Sequence, residues 1–489
     1  MVAIYSARWV LPIVSPAIDD GAVAIEGSKI LRVGSRSAIA SQFPEARLSD
    51  FGRAVILPGL INAHSHLELT VMRGFLEDVE HDFAAWLRKL TRARMAMTNE
   101  DLLASATWGA IEAARGGITC FGDSSSSALQ AMKALREVGL RGIVYQESFG
   151  PDPTLAQENV ARLREQIAEM RDRESALVRA GVSPHAPYTV SAPQLEMISR
   201  FAIDEKLPLM MHAAESQAEE LFMKEGLGRF AEGLKAREIE WQAPGISTTE
   251  YLKRHGILET RPLLAHCINV GDSDLELIRQ SGGGIAHCPK SNAKLGHGRA
   301  PFAQFLAHGV NVGLGSDSVA SNNTCDILEE ARVATLLARL DRGISPRLSK
   351  GSVTEPGADR DPRAGSPLGV VDANGNQTQL PPQRVTAQQS LFAATLGGAR
   401  ALGLDNQIGA LAEGMQADIT VVSLNGAHQQ PVGDATDALV FSSSGRDVLL
   451  TMVAGKEIYR EGTVREIDER GFQLLLEQAR TKLELAADG

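Results

Sequence analysis

The sequence is 489 residues long, 44% hydrophobic and 22% charged, with a formal net charge of −11 at pH 7. This length provides for a large buried core. The acidic balance and the lack of any run of five or six Lys or Arg residues argue against nucleic acid or an anionic membrane as a partner. We therefore expect a small molecule as the partner.

The amino-terminal stretch and the cysteines indicate the compartment. MVAIYSARWVLPIVSPAIDDG has no basic segment followed by a long apolar stretch, and no later window of about 18 residues is continuously apolar. The cysteines are far apart and form no Cys-x-x-Cys pair, which favours buried free thiols over disulfides or a thiolate zinc site. We expect a cytoplasmic protein, with a homodimer as its assembly.

The first 57 residues predict part of a small β domain. Short strand-like runs such as GAVAIEGSKILRVG are broken by Gly, Asp and Ser, and no long helical pattern occurs among them.

From residue 54 onward, short apolar runs alternate with helical stretches such as EDLLASATWGAIEAARG. The runs are AVILPGLINAHSH, GGITCFGDSS, LRGIVYQESFG, VRAGVSPHAPY, LPLMMHAAES, RPLLAHCINV, GGGIAHCPKSN and GVNVGLGSDS. Eight alternations of strand and helix are typical of a (β/α)₈ TIM-type barrel, an α/β fold, which we place at residues 58–407.

Two later segments differ in amino-acid composition and pattern from the predicted barrel. Residues 341–386 are rich in Gly, Pro, Asp and Arg and predict a loop insertion, which is either a lid or a passive segment. Residues 408–489 contain strand-like runs again and end in a predicted helix, GFQLLLEQARTKLELAADG. We expect both chain ends to form one small β-sandwich domain beside the barrel.

Polar residues stand at the ends of most of the predicted barrel strands. Active sites in such barrels are built at the carboxyl ends of the strands. The residues at these ends are His64, His66, His185, His212, Glu215, His266, His287, Asn292 and Asp317. A strand end without a function would not need such residues, so the joint pattern predicts a metal site.

Imidazole nitrogens and one carboxylate are the usual ligands of a catalytic divalent ion. His64 and His66 are one residue apart on one strand, so their side chains point to the same face. With His212 and Asp317 they supply four ligands. The fourth strand has His185 but no lysine to bridge a second ion, so we expect one ion per chain. Zn²⁺ is the expected metal, with Fe²⁺ and Mn²⁺ as alternatives.

The stretches LPGLINAHSHLEL, MHAAES, LLAHC, AHCPKSNAKLGHG and VGLGSDS resemble the metal-dependent amidohydrolase superfamily, in its chlorohydrolase and nucleoside-deaminase branch. The resemblance runs over nearly the whole chain. Within the branch, HSHLEL, VYQESFGPDP and SPHAPYTVS are most similar to aminodeoxyfutalosine deaminase-like proteins. The resemblance implies a hydrolytic deaminase acting on a purine-like or other N-heterocycle, a hydrolase of carbon–nitrogen bonds other than peptide bonds.

The resemblance also implies roles for individual residues. His266 and Asp317 hold a metal-activated water and accept its proton, and Glu215 protonates a ring nitrogen of the substrate. Glu68, His185 and Asn292 are expected to bind substrate, although Glu68 and His185 are equally consistent with support of neighbouring ligands.

One departure bears on the substrate. Relatives that deaminate adenosine-type thioethers carry a ribose-binding glutamate about 25 residues beyond the His-x-His pair. This chain has LRKLTRARM there, so Glu68 is the candidate replacement.

Two alternatives to a hydrolytic deaminase stay open. One is a hydrolase that removes chloride or an alkylamine from a triazine, and the other is a metal-binding scaffold without catalysis.

Overall fold

The strands belong to three sheets in the part of the chain that the computed structural model describes, residues 1–340 and 384–487. In chain order the strands are β1 (Val2–Val10), β2 (Ile18–Glu26), β3 (Lys29–Ser35), β4 (Arg47–Asp50), β5 (Ala54–Pro58), β6 (Leu60–Ser65), β7 (Ile118–Ser125), β8 (Arg141–Ser148), β9 (Val178–Pro184), β10 (Met210–Ala213), β11 (Leu263–His266), β12 (Gly284–His287), β13 (Asn311–Leu314), β14 (Ile419–Ser423), β15 (Val448–Val453), β16 (Lys456–Arg460) and β17 (Thr463–Val464).

Helices follow most of the parallel strands. In chain order they are α1 (Arg36–Gln42), α2 (Phe83–Met95), α3 (Asn99–Arg115), α4 (Ala128–Val138), α5 (Ala156–Arg171), α6 (Ala192–Asp204), α7 (Gln217–Glu225), α8 (Arg229–Lys235), α9 (Thr248–Arg254), α10 (Asp272–Ser281), α11 (Pro289–Lys294), α12 (Phe302–Ala307), α13 (Val319–Asn322), α14 (Ile327–Leu340), α15 (Ala387–Phe392), α16 (Gly398–Ala401), α17 (Ala435–Ser442) and α18 (Glu469–Ala487). The predicted carboxyl-terminal helix is confirmed as α18.

Each of the eight predicted barrel runs contributes one strand to one of two four-stranded parallel sheets. β6 to β9 pair in sequence order as one four-stranded sheet of the described chain, and β10 to β13 pair as another. Isolated parallel bridges, Val182 to Leu209 and Ser65 to Asp317, lie between the two sheets. The α/β class with parallel sheets is therefore confirmed. A closed eight-stranded barrel stays a prediction.

Strands from both chain ends share the third sheet, which runs in the order β17-β16-β15-β14-β5-β1-β2-β3, with β4 beside β1. β5 pairs antiparallel with β14, so that Val55 lies opposite Val422 and Leu57 opposite Thr420. The apolar side chains of these strands are buried. The β-sandwich arrangement and the boundaries at residues 57 and 407 stay predictions.

The first predicted barrel run, residues 54–66, is divided between two sheets. β5 ends at Pro58 in the mixed sheet and β6 starts at Leu60 in the parallel sheet. Gly59 between them lies so close to Thr119 of β7 that a Cβ would be 2.1 Å from its Oγ1. A residue without a side chain is therefore needed where the chain crosses from one sheet to the other.

The predicted loop insertion at residues 341–386 lies outside the described residues except for 384–386. Among the residues described, no helix is both long and apolar enough to cross a membrane.

A buried ion pair joins the parallel and mixed sheets. Arg141, the first residue of β8, donates from Nε and Nη2 to the two carboxylate oxygens of Asp418, at 2.9 and 3.1 Å. Asp418 precedes β14 and also accepts from the backbone N–H of Ala454 at 2.8 Å. Both charged residues are less than 5% exposed.

Asp418→Asn is expected to lower the free energy of unfolding by about 3–5 kcal/mol, because it leaves the Arg141 guanidinium buried without a counter-charge. Denaturant unfolding of both proteins measures the difference. The double variant Arg141→Met/Asp418→Leu is the control and should recover most of the loss, since it removes both charges. A decrease of less than about 1 kcal/mol in Asp418→Asn would contradict this expectation, because the pair would then stabilise the fold no more than an exposed salt bridge does.

Candidate metal and catalytic site

Five polar side chains meet at the carboxyl ends of the parallel strands. His64 lies on β6 and His66 just after it, His212 on β10 and His266 at the end of β11, while Asp317 follows β13. Ligand atoms of His64, His66 and Asp317 lie within 4.8 Å of one another, and so do those of His64, His212 and His266. The structure thus brings together all four residues predicted to bind metal, with His266 beside them.

The distances within this group fit a cation. Asp317 Oδ1 lies 3.4 Å from His64 Nε2 and 3.5 Å from His66 Nε2. His66 Nε2 lies 3.3 Å from His212 Nε2. The Nε2 atoms of His64 and His266 are buried and have no hydrogen-bond partner among the described residues. Three imidazoles and one carboxylate, with unsatisfied nitrogens facing a common point, form a donor set that suits a divalent ion such as zinc.

Neighbouring groups fix the orientation of the ligand side chains. His212 Nδ1 lies 3.0 Å from the His185 carbonyl oxygen, to which it can donate only as the tautomer that leaves Nε2 free. Asp317 Oδ2 accepts from the hydroxyls of Ser291 and Ser321, at 2.6 and 3.0 Å, which leaves Oδ1 for the metal group. The sequence analysis did not identify these serines.

The buried carboxyl of Glu215 faces His266 at the edge of the group. Glu215 Oε1 lies 3.7 Å from His266 Nε2, and the Tyr188 hydroxyl donates to Oε2 at 3.4 Å. Burial raises the pKa of Glu215 to about 7, so the carboxyl can hold a proton near neutral pH. His266 Nδ1 lies 2.9 Å from Asn292 Oδ1, which accepts its hydrogen. This bond keeps His266 Nε2 unprotonated and free to accept a proton.

Asp317 differs from Glu215 in its charge state. Burial alone would raise the pKa of Asp317, but contact with His64 and the nearby imidazoles outweighs this and holds the pKa well below its usual value. Two carboxyl groups with opposite pKa shifts therefore face the same space, as in sites that use one acid and one base.

A cavity of about 420 Å³ opens beside His66, His212, His266 and Asp317. One face of α2 forms much of its apolar wall, through Phe83, Trp86, Leu87 and Leu90. Trp86 is 6% exposed, and it belongs to a buried cluster as well as to the cavity wall. The cavity thus has a polar floor and an apolar side, an arrangement common in small-molecule sites.

The residues predicted to bind substrate lie at different places around the cavity. His185 lines it directly, whereas Asn292 contacts His266. Glu68 also reaches the cavity, but its carboxylate accepts from Arg94 and from the backbone N–H groups of Ser126 and Ser127. The sequence left substrate recognition and support of neighbouring ligands open for Glu68, and both stay predictions, while its hydrogen bonds go to Arg94 and to the loop after β7.

Glu147, near the end of β8, is a cavity residue that the sequence analysis did not select. Burial would raise its pKa, but the imidazoles of His185, His66 and His212 outweigh this and lower the pKa to about 2. Glu147 could have been selected from the sequence, because active sites in such folds lie at the carboxyl ends of the strands and Glu147 is the penultimate residue of its strand.

Known proteins resemble this chain in sequence. A sequence profile described as "Amidohydrolase family" matches residues 55–351 and 375–458. The chain is 31% identical over 458 residues to a 5-methylthioadenosine/S-adenosylhomocysteine deaminase of Nitratidesulfovibrio vulgaris, covering 92% of this chain and 90% of that one.

Two solved structures share the fold. An adenosine deaminase from Xanthomonas campestris with bound zinc superposes with a TM-score of 0.79 at 24% identity, covering 99% of this chain and 98% of that one. The Helicobacter pylori aminofutalosine deaminase superposes with a TM-score of 0.71 at 21% identity, covering 94% of this chain and 100% of that one.

Proposed function

We propose that this chain, which belongs to the amidohydrolase family, deaminates an adenosine-type nucleoside. It is a hydrolase of carbon–nitrogen bonds other than peptide bonds. The products would be ammonia and the corresponding 6-oxo nucleoside. The family is metal-dependent, and the chain contains a His/Asp group of the kind that holds a metal. Deaminase-named relatives support an amine as the leaving group.

His64, His66, His212 and Asp317 would hold one divalent ion, most simply Zn²⁺. Such an ion lowers the pKa of a bound water towards neutrality. A second group, Glu147, His185 and His212, also has ligand atoms within 4.8 Å of one another. His212 Nδ1 is occupied by the His185 carbonyl oxygen, so both groups require the same Nε2 atom. This competition supports one ion per chain.

The proton transfers can be assigned to two side chains, Asp317 and Glu215, with His266 holding the water. His266 and Asp317 hold the attacking water, and Asp317 takes its first proton. The remaining hydroxide adds to the carbon that bears the amino group while Glu215 donates a proton to the adjacent ring nitrogen, so that this carbon becomes tetrahedral. Asp317 passes its proton to the amino group, and the carbon–nitrogen bond breaks to release ammonia. The new hydroxyl returns its proton to Glu215 and becomes the carbonyl.

The observation that carries this proposal is the 3.7 Å approach of Glu215 Oε1 to His266 Nε2 beside the ligand group. A structural metal site closes its coordination and has no use for an acid–base pair facing an open cavity. The scaffold alternative therefore has no support from this geometry.

An ammonia-release screen tests the substrate class. Zinc-loaded protein would be incubated with adenosine-type nucleosides, aminodeoxyfutalosine, free purines, pterins and aminated or chlorinated triazines. We expect ammonia from at least one adenosine-type nucleoside, with a kcat/KM well above those of the free bases. Release of chloride or an alkylamine from triazines, without deamination of any nucleoside, would instead support the alternative leaving group.

A further inference from the structure

Among the described residues, four carboxylates line the cavity. Two of them are already assigned in the proposed function, on which this inference rests. Glu215 and Asp317 move protons, which leaves Glu68 and Glu147 as candidates for holding polar groups of the substrate. These two residues differ in the hydrogen bonds that they already make.

Glu68 has no acceptor capacity left. Its Oε1 accepts from Arg94 Nε at 3.2 Å and from the Ser126 N–H at 3.0 Å. Its Oε2 accepts from Arg94 Nη2 at 3.4 Å and from the Ser127 N–H at 2.9 Å. A carboxylate has about four acceptor positions, so all of them are filled before a substrate arrives.

Glu147 is also buried but has unused acceptor positions. Its Oε2 accepts from the Ser126 hydroxyl at 2.7 Å, and its Oε1 has the Ser124 hydroxyl at 3.4 Å. His66 Nδ1 lies 4.0 Å away, beyond hydrogen-bond distance. No lysine or arginine pairs with it among the described residues. A buried carboxylate with so few donors is costly unless a ligand supplies more.

His185 offers a second free acceptor beside Glu147. The Thr189 hydroxyl oxygen lies 3.1 Å from the Ala186 carbonyl oxygen and 2.9 Å from His185 Nδ1, and it has one hydrogen to give to either of them. When that hydrogen goes to Ala186, His185 Nδ1 donates to Thr189 and His185 Nε2 is left as an acceptor. A ring nitrogen of His185 lies within 4.8 Å of a Glu147 carboxylate oxygen. Two adjacent acceptors facing one cavity suit a ligand that presents two adjacent donors.

We propose that Glu147, together with His185, binds the neighbouring 2′- and 3′-hydroxyls of the substrate's sugar and so selects ribonucleosides over deoxynucleosides and free bases. The recognition carboxylate stands on the third parallel strand, whereas Glu68 holds the loop after β7 to Arg94 of α2. Glu147 is a specificity-determining residue in this assignment.

Equilibrium binding tests the assignment without turnover. Metal-loaded Glu215→Gln protein would be titrated calorimetrically with adenosine, 2′-deoxyadenosine and 2′,3′-dideoxyadenosine. Adenosine should bind about 10- to 100-fold more tightly than the dideoxy compound, the range for a hydrogen bond to a charged group. In the double variants that add Glu147→Gln or Glu147→Leu, this ratio should fall below about threefold. Adding Glu68→Gln instead is the matched control and should preserve it.

Three results would overturn the inference. The first is weak or absent adenosine binding, or a discrimination ratio that Glu147→Gln and Glu147→Leu leave intact. The second is a 10- to 100-fold loss of metal affinity in Glu147→Gln, which would make Glu147 a positioning residue for His66. The third is a second metal ion that disappears with Glu147→Gln. Failure of the proposed function has a different signature, since parent protein would then release no ammonia from any adenosine-type nucleoside.

Discussion

Glu215→Gln is expected to lower kcat by about 10²- to 10⁴-fold while metal content stays at the parent level. Glutamine has the same size and can still accept from the Tyr188 hydroxyl, but it cannot give a proton to the ring nitrogen. Burial raises the pKa of Glu215 to about 7, so the parent side chain can supply that proton near neutral pH. Steady-state kinetics and elemental analysis of the same preparations measure both quantities.

The control for Glu215→Gln is Glu219→Gln. Glu219 is also buried near the site, but it accepts from the backbone N–H groups of Ala214 and Glu215 and from the Thr248 hydroxyl. Its replacement should act on stability more than on turnover. General acid–base catalysis typically contributes about 10²-fold or more to the rate. If Glu215→Gln loses its metal, or keeps a rate within about threefold of the parent, the expectation is wrong. In that case Glu215 supports His212, and another group transfers the proton.

His212→Ala is expected to lose both metal and activity. The substitution removes one of four ligands and leaves His64, His66 and Asp317 with an incomplete set. The loss of metal should follow on purification and persist after incubation with zinc, whereas the parent protein reloads. Elemental analysis and ammonia release measure the two losses.

A histidine outside the site provides the matched control for His212→Ala. His308 pairs with exposed Asp272 at 3.1 Å, so His308→Ala should keep metal and rate at the parent level. A His212→Ala protein that holds the parent amount of metal would show that the ion sits at a site that does not use His212.

The sequence predicted the parallel strands and the ligand group because both follow from local pattern. Alternating strand and helix indicate parallel sheets, and residues at the ends of neighbouring parallel strands meet at one edge. Position alone therefore selected a set of strand-end residues that includes His64, His66, His212 and Asp317. The structure places them together, as the pattern requires.

Other features depend on contacts between distant parts of the chain. Glu68 and Glu147 are both acidic residues near strand ends, and the sequence cannot distinguish a saturated carboxylate from an open one. The difference arises because Arg94, 26 residues along the chain, turns towards Glu68. The division of the first strand at Gly59 likewise depends on contact with Thr119 of the next strand. Such pairings become visible only once the chain is folded.

A zinc titration of metal-free protein, followed by ammonia release from an adenosine-type nucleoside, tests the central claim most directly. The claim is that a single divalent ion, held by His64, His66, His212 and Asp317, supports hydrolytic deamination. Activity should be absent without metal, rise in proportion to added zinc up to one equivalent per chain, and then stay constant. Activity in the metal-free protein, or a rise that continues to two equivalents, would contradict the claim.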